Sequence, residues 1–282
     1  MPKRPSAYYR PQSVEEALRL LARPDTVPLA GGTTLLAGDI TSAVVDLQDL
    51  GLNQIHPSQT SDVFEKRPMA LHMGAMARLV ELSDWLTAHT SHSPAPDPQP
   101  LLLEAARRAG PNTFRHAATV GGVIASRPPD SEFLAALLVL EAELTLQRLS
   151  GPASLSLSDY LTAAERPAGL ITEIVIPWQE GQGACERVAR TPADYPIVSI
   201  TAWQPTGATP RLAATGIDER PLRLWAAESA LAAGITTETI EATAAAAKAA
   251  CRHAGDFRGD TSYRAEMAAV LAGRVLRAIG NG

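Results

Sequence analysis

The sequence predicts a protein of two domains that both contain helices and strands. Three observations indicate this. Helix-like and strand-like patterns alternate over residues 1–55, apolar strands and helices continue as far as Pro177, and a strand hairpin followed by three helices comes after it. A chain of 282 residues is long enough for two compact domains with sizeable cores. We therefore expect a first domain at residues 1–177, with parts at about 1–55 and 56–177, and a second at 178–282.

The first part reads as a small unit of helices and strands. "SVEEALRLLA" predicts a helix, because Ser13 and Glu16 have the spacing of a capping box and leucines follow at helical intervals. "TVPLA" and "AVVDL" predict two short strands. The segment "GGTTLL" lies between these strands.

The elements from residue 56 onward follow from similar signals. Residues 91–100 contain four prolines and predict an exposed loop, and "LLLEAARRAG" predicts a helix closed by Gly110. A helix from Glu132 to Leu140 and a strand with Leu144 and Leu146 come next. "LITEIVIPW" predicts another strand. "PIVSITAW" and "RLAATGI" predict a hairpin, followed by helices in "LWAAESALAAG", "TETIEATAAAAKAACRHA" and "YRAEMAAVLAGRVLRAI".

Composition excludes several classes of protein. The formal net charge is -5 with no long run of Lys and Arg, so we expect no nucleic-acid partner. No apolar run approaches the ~20 residues that a membrane span needs. "MPKRPSAYYRPQS" has basic residues but no apolar core after them, so we expect no secretory signal and a cytoplasmic location.

The sequence indicates neither a metal site nor a catalytic set of side chains on this chain. Cys185 and Cys251 form no CxxC pair, and a structural zinc site or an iron–sulfur cluster needs about four ligands. His89 and His92 are close in sequence but fall in the predicted proline-rich loop. No Ser/His/Asp or Cys/His set stands out.

Two pairs of adjacent glycines, Gly31-Gly32 and Gly121-Gly122, are the main functional signal. Each follows a short apolar segment and is flanked by hydroxyl side chains. Glycine permits positive φ and lets a ligand approach the main chain, and successive N–H groups in one concavity bind anions. Neither pair fits GxGxxG or a P-loop, which argues against those nucleotide sites. A tight turn is the plainer interpretation of each pair, whereas a diphosphate held between two such loops would suit both.

Five segments occur in the order and spacing of one family. They are "PLAGGTTLL", "RHAATVGGVIAS", "LITEIVIP", "RTPADYPIVSI" and "DFRGDTSYRAEMAAVLAGRVL". Over nearly its whole length the chain resembles the FAD-binding medium subunit of the molybdenum hydroxylases, the family of xanthine dehydrogenase, aldehyde oxidase and aerobic carbon monoxide dehydrogenase. The resemblance implies an α+β fold, with a two-part FAD-binding domain of the vanillyl-alcohol-oxidase/PCMH type followed by a small C-terminal domain of a sheet plus helices.

The resemblance also implies which residues hold the FAD diphosphate. They are Ala30, Gly31, Gly32, Thr33, Thr34 and Leu35 in the first loop, and Thr119, Gly121, Gly122, Val123, Ala125 and Ser126 in the second. Three positions depart from the family pattern: Thr34 replaces an aspartate, and His116 and Val123 replace asparagines. Val123 loses a side-chain donor but keeps its main-chain N–H. We expect His116 to be structural rather than an acid or base.

Four further residues align with family positions around the cofactor. Glu132 aligns with an aspartate that binds the adenosine end, with Asp130 a near alternative and helix capping by Asp130 or Ser131 the structural interpretation. Ile171 aligns with a contact to the flavin. Arg187 aligns with a lysine near the isoalloxazine, where a cation would stabilise the anionic reduced flavin; a surface arginine is the alternative. Tyr195 aligns with an aromatic beside the ring, or is core packing.

The implied function is electron transfer within an enzyme complex. Substrate would be oxidised at molybdopterin on a large subunit, and electrons would pass through two [2Fe–2S] clusters on a small subunit to FAD on this chain and then to NAD⁺, O2 or another acceptor. The expected assembly is a dimer of heterotrimers. A flavin-free scaffold of the same fold and a free-standing flavin oxidase are the alternatives.

Overall fold

A computed structural model describes residues 4–58, 69–89 and 96–280 of the chain. In its N-terminal part, strands β1, β3 and β2 form a parallel sheet in that order, with helix α1 packed beside it. The bounds are β1 Tyr8–Tyr9, α1 Val14–Leu21, β2 Thr26–Leu29 and β3 Ala43–Asp46. The predicted helix and both predicted strands of this part are confirmed.

Helix α1 begins where its capping signal predicts. The Ser13 hydroxyl accepts a hydrogen bond from the Glu16 N–H at 3.2 Å, which satisfies one of the free donors of the first turn. The Glu16 carboxylate accepts from the N–H of Gln12 at 2.9 Å, not from that of Ser13. The N-cap is therefore confirmed, and the reciprocal bond of the capping box is displaced by one residue.

The second part places helices on one face of an antiparallel sheet with the order β4-β5-β8-β6-β7. The bounds are β4 Ile55–Pro57, β5 Ala70–Gly74, α2 Leu79–Ala88, α3 Gln99–Arg108, α4 Asn112–Ala117, α5 Val120–Ser126, α6 Glu132–Val139, β6 Glu143–Arg148, β7 Gly151–Ser156, α7 Leu157–Thr162 and β8 Leu170–Pro177. Every residue of α6 is buried, as expected of a helix that is apolar on nearly all sides.

The C-terminal part is an antiparallel sheet with helices on one face. The sheet order is β12-β11-β10-β9, with bounds β9 Gly181–Val188, β10 Val198–Pro205, β11 Arg211–Thr215 and β12 Leu222–Arg223, and the helices are α8 Trp225–Ser229, α9 Thr237–Ala249 and α10 Thr261–Gly280. Alternate residues of β10 face opposite ways: Ala202 packs with α9 and α10, whereas Trp203 belongs to the core around α6. This sheet therefore lies between α6 and the C-terminal helices.

The structure corrects some expectations about local structure. Gly121 and Gly122 lie in the first turn of α5 and not in an open bend. Strand β9 was not predicted, and α3 begins at Gln99, inside the expected proline-rich loop. Residues 91–95 of that loop lie outside the described residues. In the part of the chain that the structure describes, no helix has the length and apolar character to span a bilayer.

Candidate functional site

The two glycine segments lie against each other although nearly ninety residues separate them. A Cβ on Gly31 would lie 2.8 Å from the carbonyl carbon of Ala117 and closer still to its oxygen. A Cβ on Gly122 would lie 3.9 Å from that of Ala30. Glycine at position 31 thus permits the first loop to reach the end of α4, and Gly122 faces the same loop. The two segments form one site.

The first loop offers free main-chain donors. Gly32 has a φ of +74°, which glycine adopts without strain, and its carbonyl accepts from the Leu36 N–H at 2.9 Å. No described residue accepts a hydrogen bond from the N–H groups of residues 31–34. Unpaired N–H groups in consecutive residues of a tight loop can together bind an anion. The hydroxyls of Thr33 and Thr34 stand beside them.

The second segment is different, because the protein already uses its main-chain donors. The N–H groups of Val120 and Gly121 donate to the carbonyls of Ala77 and Ala75, both at 2.8 Å. The Gly122 N–H donates to the hydroxyl of Thr119 at 3.1 Å, so this threonine caps the helix. The predicted symmetry between two donor loops is therefore absent: the first loop can donate to a ligand, and the second segment closes the gap beside it.

Other residues predicted in the second loop differ in accessibility. Thr119, Gly121 and Val123 are buried, so the side chains of Thr119 and Val123 face the protein interior. Gly122, Ala125 and Ser126 are half-buried, and the Ser126 hydroxyl donates to the Val123 carbonyl at 3.0 Å. Because Val123 is enclosed, its replacement of the family's asparagine places an apolar group in the core and leaves no orphaned polar atom.

Glu132 is a buried carboxylate surrounded by positive charge. It begins α6 with 3% of its surface exposed, and its oxygens lie 3.5 Å from Nη1 of Arg187 and 3.7 Å from Nη1 of Arg108. The thiol of Cys185 donates to it at 3.4 Å. Burial raises the pKa of the Glu132 carboxyl, and Arg187 and then Arg108 oppose that rise. Oε2 of Glu132 and Nη1 of Arg108 have no hydrogen-bond partner.

Arg187 and Tyr195 are joined through the turn between β9 and β10. Arg187 donates from Nη2 to the carbonyl of Asp194, next to Tyr195. The Tyr195 hydroxyl donates to the Ala109 carbonyl at 3.4 Å, and the side chain remains 42% exposed. Burial and the nearby Asp130 carboxylate raise the pKa of Tyr195. Tyr195 is therefore an exposed aromatic side chain and not core packing.

The structure places Glu132 and Arg187 at one point, which restricts their predicted roles. The resemblance puts Glu132 at the adenosine end of FAD and Arg187 at the isoalloxazine. These ends are far apart in an extended dinucleotide, whereas the two side chains are in ionic contact. Both assignments stay predictions, and the ionic contact favours a common place for the two side chains. Ile171, the predicted flavin contact, is buried in β8 opposite Leu146.

Sequence reasoning missed three residues of this region. Arg108 and Cys185 flank Glu132, and Arg258 donates to Asp130 at 3.1 Å. No local signal identifies the first two, because α3 and β9 bring them to α6 only through tertiary packing. Arg258 lies in the segment "DFRGD", in which three of five residues are charged. This concentration of charge is a signal that could have identified Arg258 as a candidate.

The environment of Cys185 predicts an inert thiol. Burial, and then the charge of Glu132, raises the pKa of Cys185 to about 12. Because the thiolate is the reactive form, we expect Cys185 in native protein at pH 8 to resist iodoacetamide and to react only after unfolding. Peptide mass spectrometry of protein labelled with and without urea measures this, and fast labelling of Cys185 in the native protein would contradict it.

Comparisons with known proteins agree with this geometry. Residues 4–179 match the family model described as FAD binding domain in molybdopterin dehydrogenase, and residues 185–279 match the CO dehydrogenase flavoprotein C-terminal domain. The uncharacterized protein YgfM of Escherichia coli K12 is 30% identical over 94% of this chain and 92% of its own length. The carbon monoxide dehydrogenase medium chain of Hydrogenophaga pseudoflava is 29% identical over 96% of each chain.

A solved structure extends the likeness to the whole fold. Carbon monoxide dehydrogenase from Hydrogenophaga pseudoflava, in a form that lacks the Mo-pyranopterin moiety of its cofactor, contains a chain with a TM-score of 0.84 and 26% identity. The match covers 100% of this chain and 99% of that one. A two-part α+β domain with an amide-lined glycine loop, followed by a sheet with helices, is the architecture of a flavoprotein subunit. The chain belongs to the family of FAD-binding medium subunits of molybdenum hydroxylases of the carbon monoxide dehydrogenase type.

The predicted family, fold class and cofactor are thereby confirmed. The chain carries an FAD-binding domain, and its relatives are subunits of oxidoreductases. The residues that touch FAD, the domain boundary at residue 178 and the route of the electrons stay predictions.

Proposed function

We propose that this chain binds FAD with its diphosphate against the main chain of residues 31–34, and that the flavin receives electrons from iron–sulfur clusters on a partner subunit. The supporting observation is the set of unpaired N–H groups in that loop. Such groups compensate the charge of a diphosphate directly, since each donates to one of its oxygens. FAD supplies the electron-transfer chemistry when bound; the residues of this chain bind and orient it.

The first loop fits the cofactor better than the second segment does. Ala30, Gly31, Gly32, Thr33, Thr34 and Leu35 provide main-chain donors and hydroxyls, whereas the donors of Val120, Gly121 and Gly122 are engaged. In the proposed arrangement Gly122 has a steric role, because the absence of its side chain keeps the gap beside Ala30 open. Ala125 and Ser126 continue that wall.

Arg187 is the proposed electrostatic element beside the flavin ring, and Tyr195 is the proposed aromatic contact. The location of Arg187 beside the turn that carries Tyr195 supports assigning both to the same end of the cofactor. Glu132 then belongs to this end too and acts through Arg187, holding its guanidinium and reducing its net charge. In this assignment Glu132 does not bind the ribose of the adenosine.

The proposed partners are a molybdopterin-binding large subunit and a [2Fe–2S] small subunit, in a cytoplasmic dimer of heterotrimers. An iron–sulfur cluster takes four protein ligands, usually cysteines. This chain has two cysteines, and the thiol of Cys185 is committed to Glu132 and Thr201. The clusters that reduce the flavin therefore belong to another chain. The medium-chain description of the carbon monoxide dehydrogenase relative supports such an assembly.

Replacing Gly122 with leucine tests the loop assignment. The added Cβ would lie 3.9 Å from that of Ala30 and 2.8 Å from the Thr119 hydroxyl oxygen, which has to shift. We therefore expect FAD binding to be lost, with a local change at the start of α5 and a circular dichroism spectrum that stays close to that of the wild type. Gly38→Leu is the matched control, because a Cβ at Gly38 would meet no atom within 4 Å and the φ of this residue is -110°. Absorbance in the flavin bands and titration of apo-protein with FAD give the readout.

Each outcome of this experiment bears on one statement. Wild-type protein that takes up no flavin even after FAD addition would refute the proposed function and favour a flavin-free scaffold. Gly122→Leu protein that binds FAD as tightly as the wild type would refute the position of the diphosphate. Turnover of an organic substrate by the isolated chain would favour a free-standing flavin oxidase.

A further inference from the structure

The loop that joins α5 to α6 is attached to the rest of the protein at several points. Arg127, with a φ of +50°, donates from Nη2 to the Tyr160 carbonyl at 2.6 Å. The next attachments come from the C-terminal part of the chain. The Gly216 N–H donates to the Pro129 carbonyl at 3.0 Å, and Nη1 of Arg258 donates to the Asp130 carboxylate at 3.1 Å. The position of this loop therefore depends on residues more than eighty positions away.

Arg258 is itself held by a network that ends in the protein core. Its Nε donates to the Asp256 carboxylate at 3.2 Å, and its main-chain N–H donates to the same group at 2.9 Å. Asp256 also accepts from Nη2 of Arg264 at 2.6 Å. Arg264 is 0% exposed and donates to the carbonyls of Ile197 and Gly216 at 2.6 and 2.7 Å. A row of alternating charges thus runs from Arg264 in the core to Asp130 in the loop.

This loop lies between the two groups of predicted flavin contacts. Ser126 precedes it at the end of α5, and Glu132, which pairs with Arg187, follows it at the start of α6. Asp130 is also close enough to Tyr195 to raise the pKa of the phenol through its charge, in addition to the effect of burial. A shift of Asp130 would therefore move groups on both sides of the site.

We propose that Arg258 is a positioning residue of the flavin site, which holds Asp130 so that the α5–α6 loop keeps the geometry that binds FAD. This inference rests on the proposed function. It assigns to the C-terminal motif "DFRGD" the role of fastening a loop of the FAD-binding domain, and it makes FAD affinity a property of both parts of the chain. Arg258 contacts the loop and not the cofactor.

A second set of arginines provides the comparison that separates positioning from general stability. Arg211 and Arg223 also come from the C-terminal part, but they donate to the carbonyls of Val139 and Leu138 at the opposite end of α6. Arg211 also pairs with Glu141 at 2.8 Å. Arg211 and Arg258 therefore make the same kind of contact to the two ends of one helix, and only Arg258 adjoins the flavin site.

The test compares Arg258→Gln, Asp130→Asn and their double variant with Arg211→Gln in the full chain. Two quantities are measured: the Kd for FAD of folded apo-protein, from quenching of flavin fluorescence, and the Tm of apo-protein. We expect Arg258→Gln and Asp130→Asn each to weaken FAD binding about tenfold, within the common range for coupling between separate contacts. The double variant should weaken FAD binding no more than either single variant does, because both substitutions remove the same ion pair between Arg258 and Asp130. Arg211→Gln should lower the Tm but change the Kd less than about twofold, because its contacts lie at the far end of α6.

The inference and the proposed function fail in different ways. If wild-type protein binds FAD but Arg258→Gln and Asp130→Asn keep the wild-type Kd, the inference is overturned and the proposed function stands. Equal weakening by Arg211→Gln and Arg258→Gln would also overturn it, because the effect would then be general loss of stability. A wild-type protein with no affinity for FAD would overturn the proposed function. Asp130→Asn covers the case in which Arg258→Gln does not fold.

Discussion

Gly31→Ala is expected to destabilise the protein and to remove its FAD binding together. The new Cβ would lie 2.8 Å from the carbonyl carbon of Ala117 and 3.2 Å from Cα of Ala118, and closer still to the Ala117 oxygen. These are main-chain atoms, so no side chain can rotate away; the loop or the end of α4 has to move. Overpacking of this kind costs about 1–3 kcal/mol, which lowers the Tm of a protein of this size by several degrees.

Loss of flavin is expected as well, because a movement of Gly31 away from α4 also changes the first loop. Residues 31–34 carry the unpaired N–H groups, and displacement of Gly31 would change the positions of these groups. Gly38→Ala is the control: its Cβ meets no atom within 4 Å, so we expect the Tm and the FAD affinity of the wild type. Thermal unfolding with and without FAD measures both effects. A Gly31→Ala protein with unchanged Tm and flavin content would show that the contact with α4 is not needed.

Local signals predicted most of the secondary structure because the elements are amphipathic or uniformly apolar. The helix at α6 and the strand at β8 follow from the runs "EFLAALLV" and "LITEIVIP", whose burial the structure confirms. Strand β9 escaped prediction since "GQGACERV" contains two glycines and polar residues, which disfavour strands. It is a strand because all of its residues pair with β10, from Gly181 opposite Pro205 to Val188 opposite Val198.

Tertiary contacts also decide the conformation of the second glycine pair. Glycine is among the poorest helix formers, so "VGGVIAS" suggested a bend. In the structure the Thr119 cap and the close approach of Ala75 to Gly121 make the helix favourable. A Cβ on Gly121 would lie 2.7 Å from that of Ala75, so the residue that weakens the helix is also the one that allows it to pack. Sequence alone reveals the conformational freedom of glycine but not the neighbour that it accommodates.

The candidate site could be predicted residue by residue but not as an arrangement. The family resemblance identified Glu132 and Arg187 as two separate candidates. Nothing along the chain indicates that α6 and β9 bring the Glu132 carboxylate to 3.5 Å from Nη1 of Arg187. For the same reason Arg258, which comes from the other end of the sequence, was not connected with Asp130. Pairings of this kind depend on the packing of the C-terminal sheet against α6, which is a property of the whole fold.

Arg264→Leu is expected to cause a large loss of stability, of about 3–5 kcal/mol, because buried main-chain carbonyls lose their donor at a cost of about 1–3 kcal/mol each. Arg264 is wholly buried and donates to the carbonyls of Ile197, Gly216 and Gly259 as well as to Asp256. Leucine can fill part of the volume but donates to none of these acceptors. The carbonyls of Ile197 and Gly216 would lose their arginine donor, whereas the Gly259 carbonyl keeps the Asp256 N–H and Asp256 keeps Arg258. The effect should appear in urea unfolding at pH 7 as a lower midpoint.

The pH dependence of the same variant distinguishes loss of the charge pair from loss of packing. Burial alone would raise the pKa of Asp256, but hydrogen bonds from Arg264 and Arg258 outweigh it and hold the pKa far below its ordinary value. A carboxyl with a lowered folded-state pKa stabilises the fold above its unfolded-state pKa of about 3.9 and loses that contribution as the pH falls through the folded-state value. Wild-type stability should therefore decrease with acidification below about pH 4, and in Arg264→Leu this decrease should be smaller.

Arg274→Leu on the same helix is the matched control for this comparison. Arg274 is exposed, so its replacement should leave both the urea midpoint at pH 7 and the acid dependence close to those of the wild type. If Arg264→Leu instead kept the full acid dependence of the wild type while losing stability at pH 7, the lost free energy would come from packing and carbonyl contacts. The ion pair between Arg264 and Asp256 would then contribute little to the free energy of unfolding. The row of charges from Arg264 to Asp130 would not be stabilised at its buried end.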